Sequence, residues 1–166
     1  LMYVGISKTQ EIVQSLDKFK ATGKPVAAIG DYFTQDQYLL ASHADTVISH
    51  PLRGVAFEGY SSYHHYFREA LEIISVNVHI FRAGDHKSAV EPFIRDDMSP
   101  DEREITGRWL NNLWGQYTAI VETQRELTPG AVNDYVNNFS SQLRGKGGDT
   151  AQLALQVGLV DKLLGR

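Results

Sequence analysis

The sequence alternates short apolar segments with amphipathic helical patterns, and this alternation constrains the fold more than any other feature. Strand patterns lie at residues 25–29, 46–49, 54–57, 76–81 and 159–160. Helical patterns lie at residues 6–22, 35–41, 60–74, 99–125 and 150–157, and Thr128 and Pro129 open another short helix. Strands that alternate with helices predict an α/β fold with a mainly parallel sheet flanked by helices.

The helix predicted to begin after Ser99 has the clearest start in the chain. Ser99 is a candidate N-cap, Pro100 suits the first turn, and Glu102 completes a capping box. Its apolar stripe continues to about Arg125, which makes it the longest predicted element. The residues of this stripe expected to be buried are Trp109, Leu113 and Tyr117.

Composition excludes several classes of protein. The 166 residues, with 42% hydrophobic and 22% charged content, fit one globular domain or one half of a larger chain. The formal charge of −4 and the scattered basic residues argue against a nucleic-acid partner. The absence of cysteine removes disulfides, thiolate catalysis and cysteine zinc sites. No run of roughly 18 apolar residues occurs, so any membrane anchor is expected outside this chain.

Motifs for a metal or a cofactor are also missing. His64 and His65 are adjacent and point to different sides of a helix, and no HExxH spacing occurs. The cluster of Gly145, Gly147 and Gly148 lacks GxGxxG spacing, and no GxSxG turn is present. The sequence therefore predicts neither a metal site nor a bound cofactor.

One run of residues is more specific. Residues 84–100 read GDHKSAVEPFIRDDMSP, and they resemble the lysine-bearing segment of the signal peptide peptidase A (protease IV) family in its long bacterial form. The resemblance extends to residues 24–32, 148–151 and 158–161. It implies a crotonase/ClpP-like β/α superhelical domain, incomplete at its N-terminus. Residues 1–166 would then be a single domain, most of the N-terminal half of a tandem-domain peptidase.

In that family a lysine is the general base for a serine nucleophile, and Lys87 matches its position. A lysine accepts a proton only when neutral, and lowering its pKa from about 10.4 to about 7 costs roughly 4.6 kcal/mol. Burial can supply this, and so can the positive end of a short helix capped by Asp85. The resemblance thus implies that Lys87 is catalytic.

The matching serine is absent. Gln35 falls on the serine position, while Asp36 and Gln37 replace glycines of the catalytic turn, and an amide cannot attack a carbonyl. Thr34 lies one residue early, and Ser88 is interpreted as a hydroxyl that caps a helix or orients Lys87. The resemblance therefore implies that a C-terminal half supplies the serine, so this chain alone is expected to be inactive.

The resemblance also carries expectations about partners and location. It implies a serine endopeptidase that degrades cleaved signal peptides, forms a homo-oligomer, uses no cofactor and faces the periplasm from the bacterial inner membrane. Two alternatives stay open, because fold alone does not fix function. One is a crotonase-type enzyme acting on acyl-CoA thioesters, and the other is an inert scaffold or oligomerisation half.

Overall fold

Helices and short parallel strands alternate in the computed structural model, which describes residues 6–81 and 88–165. The α-helices are α1 (Ile6–Lys20), α2 (Gln35–Ala41), α3 (Arg68–Ile73), α4 (Glu91–Ile94), α5 (Pro100–Gln124), α6 (Ala131–Asn137), α7 (Phe139–Arg144) and α8 (Thr150–Val157). The strands are β1 (Ala27–Gly30), β2 (Thr46–Ser49) and β3 (Lys162–Leu163), and a 3₁₀-helix covers Ser88–Val90. The expected α/β class is confirmed.

Contacts divide the chain into two units. The first unit is drawn from Leu1–Gly59 and Gly115–Arg166, and the second is Tyr60–Trp114. All three strands belong to the first unit, where they pair in parallel in the order β1-β2-β3. A parallel bridge between Phe33 and Val55 lies beyond the named strands. The small parallel sheet therefore organises the first unit.

Local capping signals explain the helices that border this sheet. The Thr34 hydroxyl accepts from the Gln37 amide, and the Gln37 side chain accepts from the Thr34 amide, so a complete capping box starts α2. Asp149 caps α8 by accepting from the Gln152 amide. Gly158 ends α8 with φ of 85°, a left-handed conformation that glycine adopts without steric cost. Side-chain hydrogen bonds and one glycine therefore fix these ends of α2 and α8.

Three buried tyrosines hold the core of the first unit together. Their hydroxyls donate to backbone carbonyls distant in sequence: Tyr38 to Leu159, Tyr117 to Gln35 and Tyr135 to Val55. Burial raises the pKa of Tyr135 to about 12, so its hydroxyl stays protonated and remains a donor at neutral pH. Each tyrosine thus combines apolar burial with a fixed hydrogen bond between elements.

Arg125 and Asp161 join α5 to the end of the sheet. Arg125 donates to the Gly158 carbonyl and to Asp161, with its Nη2 2.6 Å from Asp161 Oδ1. Asp161 Oδ2 also accepts from the Val47 amide at 2.7 Å, which places the carboxylate beside β2. Burial alone would raise the pKa of Asp161, but the bonds from Arg125 and Val47 outweigh it and hold the pKa below its usual range.

This carboxylate makes stability fall in acid. A group whose pKa is lower in the folded state stabilises the fold above its unfolded pKa, and the contribution is lost as pH falls through the folded pKa. We expect Asp161→Asn to lower the free energy of unfolding at pH 7 and to weaken its dependence on pH below about 4. Urea unfolding at pH 7 and in this acid range measures both. An unchanged acid dependence would contradict the assignment.

The second unit departs from the sequence expectations. Residues 60–74 were predicted to be helical, but the helix covers only Arg68–Ile73, because tyrosine, serine and histidine at 60–66 have weak helix propensity. The strand predicted at 76–81 is wrong, since this segment has no regular secondary structure and no strand pairs with it among the described residues. The segment 88–94 forms a 3₁₀ turn followed by α4.

Three further expectations need correction. The strand expected at Leu159 and Val160 begins later, at Lys162. On α5, Tyr117 is buried as predicted, but Leu113 is half-buried and Trp109 is 57% exposed. The spacing of apolar residues identified the correct face of the helix, but it does not determine what covers each part of that face.

The start of α5 also differs in one detail. Ser99 Oγ accepts from the Glu102 amide as an N-cap does. The Glu102 carboxylate does not return a bond to the Ser99 amide, because that amide donates to Glu91 instead. Glu102 accepts from Thr106 within the helix. The predicted capping box is therefore half formed.

Within residues 6–81 and 88–165, none of the helices is long and apolar enough to cross a membrane.

Candidate active site

The position expected for a serine nucleophile is occupied by a buried carboxamide. Gln35 is the first residue of α2 and is 8% exposed. Its Oε1 accepts from the Glu58 amide at 3.1 Å and from the Gly59 amide at 2.8 Å. Its Nε2 donates to the Gly59 carbonyl at 3.1 Å. The side chain is therefore held by three hydrogen bonds to one short backbone segment.

This arrangement places an acceptor oxygen between two backbone donors. Two converging N–H groups are what an oxyanion needs, and here a neutral amide oxygen uses both. The Tyr117 hydroxyl fixes the same residue from its backbone side by donating to the Gln35 carbonyl at 2.8 Å. A carboxamide nitrogen and oxygen are not nucleophiles at neutral pH. The start of α2 can thus bind and stabilise the 58–59 segment but cannot attack a carbonyl.

The neighbouring hydroxyl does not take over the nucleophile's role. Thr34 Oγ1 lies 3.4 Å from the Gln37 amide, and it accepts that N–H as the cap of α2. Gln37 belongs to the same capping box. In the catalytic turn that the sequence was compared with, this position is a glycine. For Thr34 to attack a carbonyl, a neighbouring base would have to accept the proton of its hydroxyl. The structure instead assigns Thr34 to helix capping.

The predicted general base, Lys87, lies outside the described residues. The described chain resumes at Ser88, the first residue of the 3₁₀-helix and half-buried. Neither the role of Lys87 nor the orienting role considered for Ser88 is tested by these contacts, so both stay predictions.

Two carboxylates hold the segment that follows Lys87, and the sequence did not assign them a role. Glu91 accepts from both the amide and the hydroxyl of Ser99. Burial alone would raise the pKa of Glu91, but the bonds from Ser99 outweigh it and lower the pKa. Asp96 pairs with the Arg68 guanidinium and accepts from the Glu69 amide. These contacts tie residues 91–96 to the starts of α3 and α5.

The described residues also bear on metal chemistry. In the part of the chain that the structure describes, no group of three or more histidine, aspartate or glutamate side chains is placed to hold a metal ion. His64 and His65 lie in an irregular segment rather than on a helix.

Comparison with known proteins identifies the chain's relatives. The model of Peptidase family S49 matches residues 18–166. Protease 4 of Salmonella typhi is 41% identical over 152 residues, and Protease 4 of Haemophilus influenzae (strain ATCC 51907 / DSM 11121 / KW20 / Rd) is 36% identical over 152 residues. Each alignment covers 92% of this chain and 25% of the relative, so the chain spans about a quarter of these proteins. The family match extends over most of the sequence, including the segments that carried the resemblance, and the chain belongs to Peptidase family S49.

Proposed function

We propose that this chain is the lysine-donating half of a serine endopeptidase that degrades cleaved signal peptides. In this proposal Lys87 is the general base, and a C-terminal half provides the serine. Membership of Peptidase family S49 and similarity to proteins named Protease 4 support a peptidase. The dyad and the substrate rest on the segment 84–100 and its resemblance to the family's lysine-bearing segment.

One observation supports the proposal that one half supplies the lysine base and the other half the serine nucleophile. The Gln35 carboxamide falls on the expected serine position and is held by three hydrogen bonds to the backbone of Glu58 and Gly59. A lysine base needs a hydroxyl nucleophile, since a neutral amine accepts the proton that a serine loses on attack. With Gln35 fixed in this way, Lys87 requires a serine from another segment or another subunit. In this proposal, residues 1–166 are one domain of a tandem protein whose other half carries the serine.

The surface of the second unit supports such a partner. None of its described residues is buried, and large apolar side chains are exposed throughout it. They are Tyr63, Phe67, Ile73, Ile74, Val76, Val78, Phe81, Phe93, Ile94, Ile105 and Trp109. Apolar exposure on this scale is typical of surfaces that another protein segment covers. In the proposal, the C-terminal half or a second subunit of a homo-oligomer covers it, in a protein anchored in the bacterial inner membrane and facing the periplasm.

The proposal predicts that the 166-residue chain alone is not labelled by a fluorophosphonate. Such probes need an activated serine, and the carboxamide of Gln35 cannot react in its place. Intact-mass measurement after incubation is expected to show less than about 5% labelled chain, while the complete protein takes up one probe per active site.

Stoichiometric labelling of the isolated chain would contradict this. The modified residue would then be mapped, with Thr34 and Ser88 as the candidates. Labelling at either one would mean that the nucleophile lies in this half and that the assignment of Gln35 is wrong.

A further inference from the structure

A second concave site lies in the first unit, apart from the start of α2. It is a cleft of about 500 Å³ between residues 53–57 and the helices α6 and α7. Four aromatic side chains line it: Tyr32, Phe57, Tyr135 and Phe139. Small-ligand sites have volumes of roughly 300–1,000 Å³ and are mostly apolar with a few polar groups. The cleft has the size and the lining of such a site.

The walls of this cleft are fixed by the core. Phe57 and Tyr135 meet edge to face at 5.6 Å between ring centroids, and Tyr135 meets Phe139 at 5.4 Å. The Tyr135 hydroxyl donates to the Val55 carbonyl at 3.0 Å, which joins α6 to the opposite wall. The cleft is therefore a preformed surface, and binding there requires little reordering of side chains.

Gly54, which lines the cleft, packs closely against the start of α8. A Cβ added to Gly54 would lie 2.5 Å from the Thr150 carbonyl oxygen, so the backbone at 54 packs directly against the start of α8. Thr150 and Ser140 also line the cleft. Their hydroxyls can donate to or accept from a peptide group. The lining of the apolar cleft thus includes two residues with hydroxyl groups.

A positive charge also lines the cleft. The Arg53 guanidinium stacks over the Tyr32 ring, 5.4 Å from its centroid. Arg53 is exposed, and no carboxylate of residues 6–81 or 88–165 forms an ion pair with it. A planar guanidinium presents paired N–H donors that match the two oxygens of a carboxylate. The complementary ligand is therefore an apolar group that carries a carboxylate.

We propose that this cleft binds the C-terminal end of a peptide. An apolar terminal side chain would lie among the four aromatic rings, the terminal carboxylate would pair with Arg53, and the last peptide group would bond to Ser140 or Thr150. The site contains neither Gln35 nor Lys87, so it goes beyond the proposed hydrolysis. The site would bind peptides that already have a free C-terminus, whichever residues catalyse their hydrolysis.

The test measures binding without turnover. A fluorescein-labelled peptide, Gly-Ser-Gly-Ala-Phe with a free carboxylate, is titrated with the complete protein carrying Lys87→Ala, and anisotropy gives the Kd. We expect the C-terminally amidated peptide to bind about fivefold more weakly, as the loss of one exposed ion pair implies. Arg53→Met should weaken the free-carboxylate peptide by a similar factor and leave the amidated peptide unchanged.

Two further variants complete the design. Ser140→Trp places a large ring in the cleft from an exposed helix position, and it should weaken both peptides more than about tenfold, since the apolar pocket is filled. Lys18→Met on α1 removes one exposed positive charge away from the cleft and should change neither Kd. Circular dichroism of each variant establishes that it is folded.

Three results would overturn the proposal. They are no binding of the free-carboxylate peptide, equal binding of the free and amidated peptides, or binding unaffected by Arg53→Met and Ser140→Trp. Decanoate has the same pairing of an apolar group and a carboxylate. If it binds more tightly than the peptide and displaces it, the cleft is a fatty-acid site and the assignment to a peptide is wrong. Because turnover is not measured, these outcomes are independent of the role of Lys87.

Discussion

Replacing Tyr38 with alanine is expected to lower the free energy of unfolding by about 3–5 kcal/mol, the range found for buried aromatic residues. The Tyr38 side chain is fully buried in the first unit. Its ring packs edge to face against Phe33 and Phe57, with centroids 6.1 and 5.5 Å away. The alanine variant loses these contacts and leaves a cavity, which chemical unfolding in urea measures directly.

Two further variants separate the parts of this effect. Tyr38→Phe keeps the ring but leaves the buried Leu159 carbonyl without its donor, so we expect a loss of about 1–3 kcal/mol. Tyr63→Ala is the matched control, because Tyr63 is 88% exposed and should change stability by less than about 0.5 kcal/mol. A Tyr38→Ala loss no larger than that of the control would contradict the described core.

The sequence predicted the elements whose limits depend on local chemistry. The bounds of α2 and β2 agree with the predictions, because a capping box starts α2 and a β-branched run forms β2. The second unit was predicted less well, since its aromatic residues at 60–67 occur at helical spacing without forming a helix. Spacing shows which residues can share a face. Whether they fold as a helix also depends on propensity and on what covers that face.

The candidate site was also predicted only in part from the sequence. From the sequence, Gln35 is recognisable as a residue that cannot attack a carbonyl. Its three bonds to Glu58 and Gly59 were not predicted, because they join residues 23 and 24 positions apart and depend on where the chain returns after β2. The bonds of Glu91 to Ser99 were missed for a related reason, since a capping box was the simpler interpretation of Ser99. A backbone or side-chain group that fits a local motif in the sequence can instead bond to a more distant residue in the structure.

The proposed dyad predicts that Lys87→Ala in the complete protein lowers peptide turnover by about 10³-fold or more, because a serine without its base is a poor nucleophile. The fold should be retained, which circular dichroism and thermal unfolding can check. A kinetic assay with a fluorogenic peptide measures the loss. Turnover within about threefold of the wild type would remove Lys87 from the mechanism.

Lys87→Arg distinguishes a base from a structural cation. Arginine keeps the positive charge and nearly the same length, but its guanidinium stays protonated to above about pH 12 and cannot accept a proton. We therefore expect the arginine variant to be as inactive as the alanine variant. In the wild type, kcat/KM should rise with pH through an apparent pKa well below that of a free lysine, since only the neutral amine is a base. If arginine restores turnover, or if kcat/KM falls rather than rises as the Lys87 amine loses its proton, the role of Lys87 is electrostatic or structural and the proposed dyad is wrong.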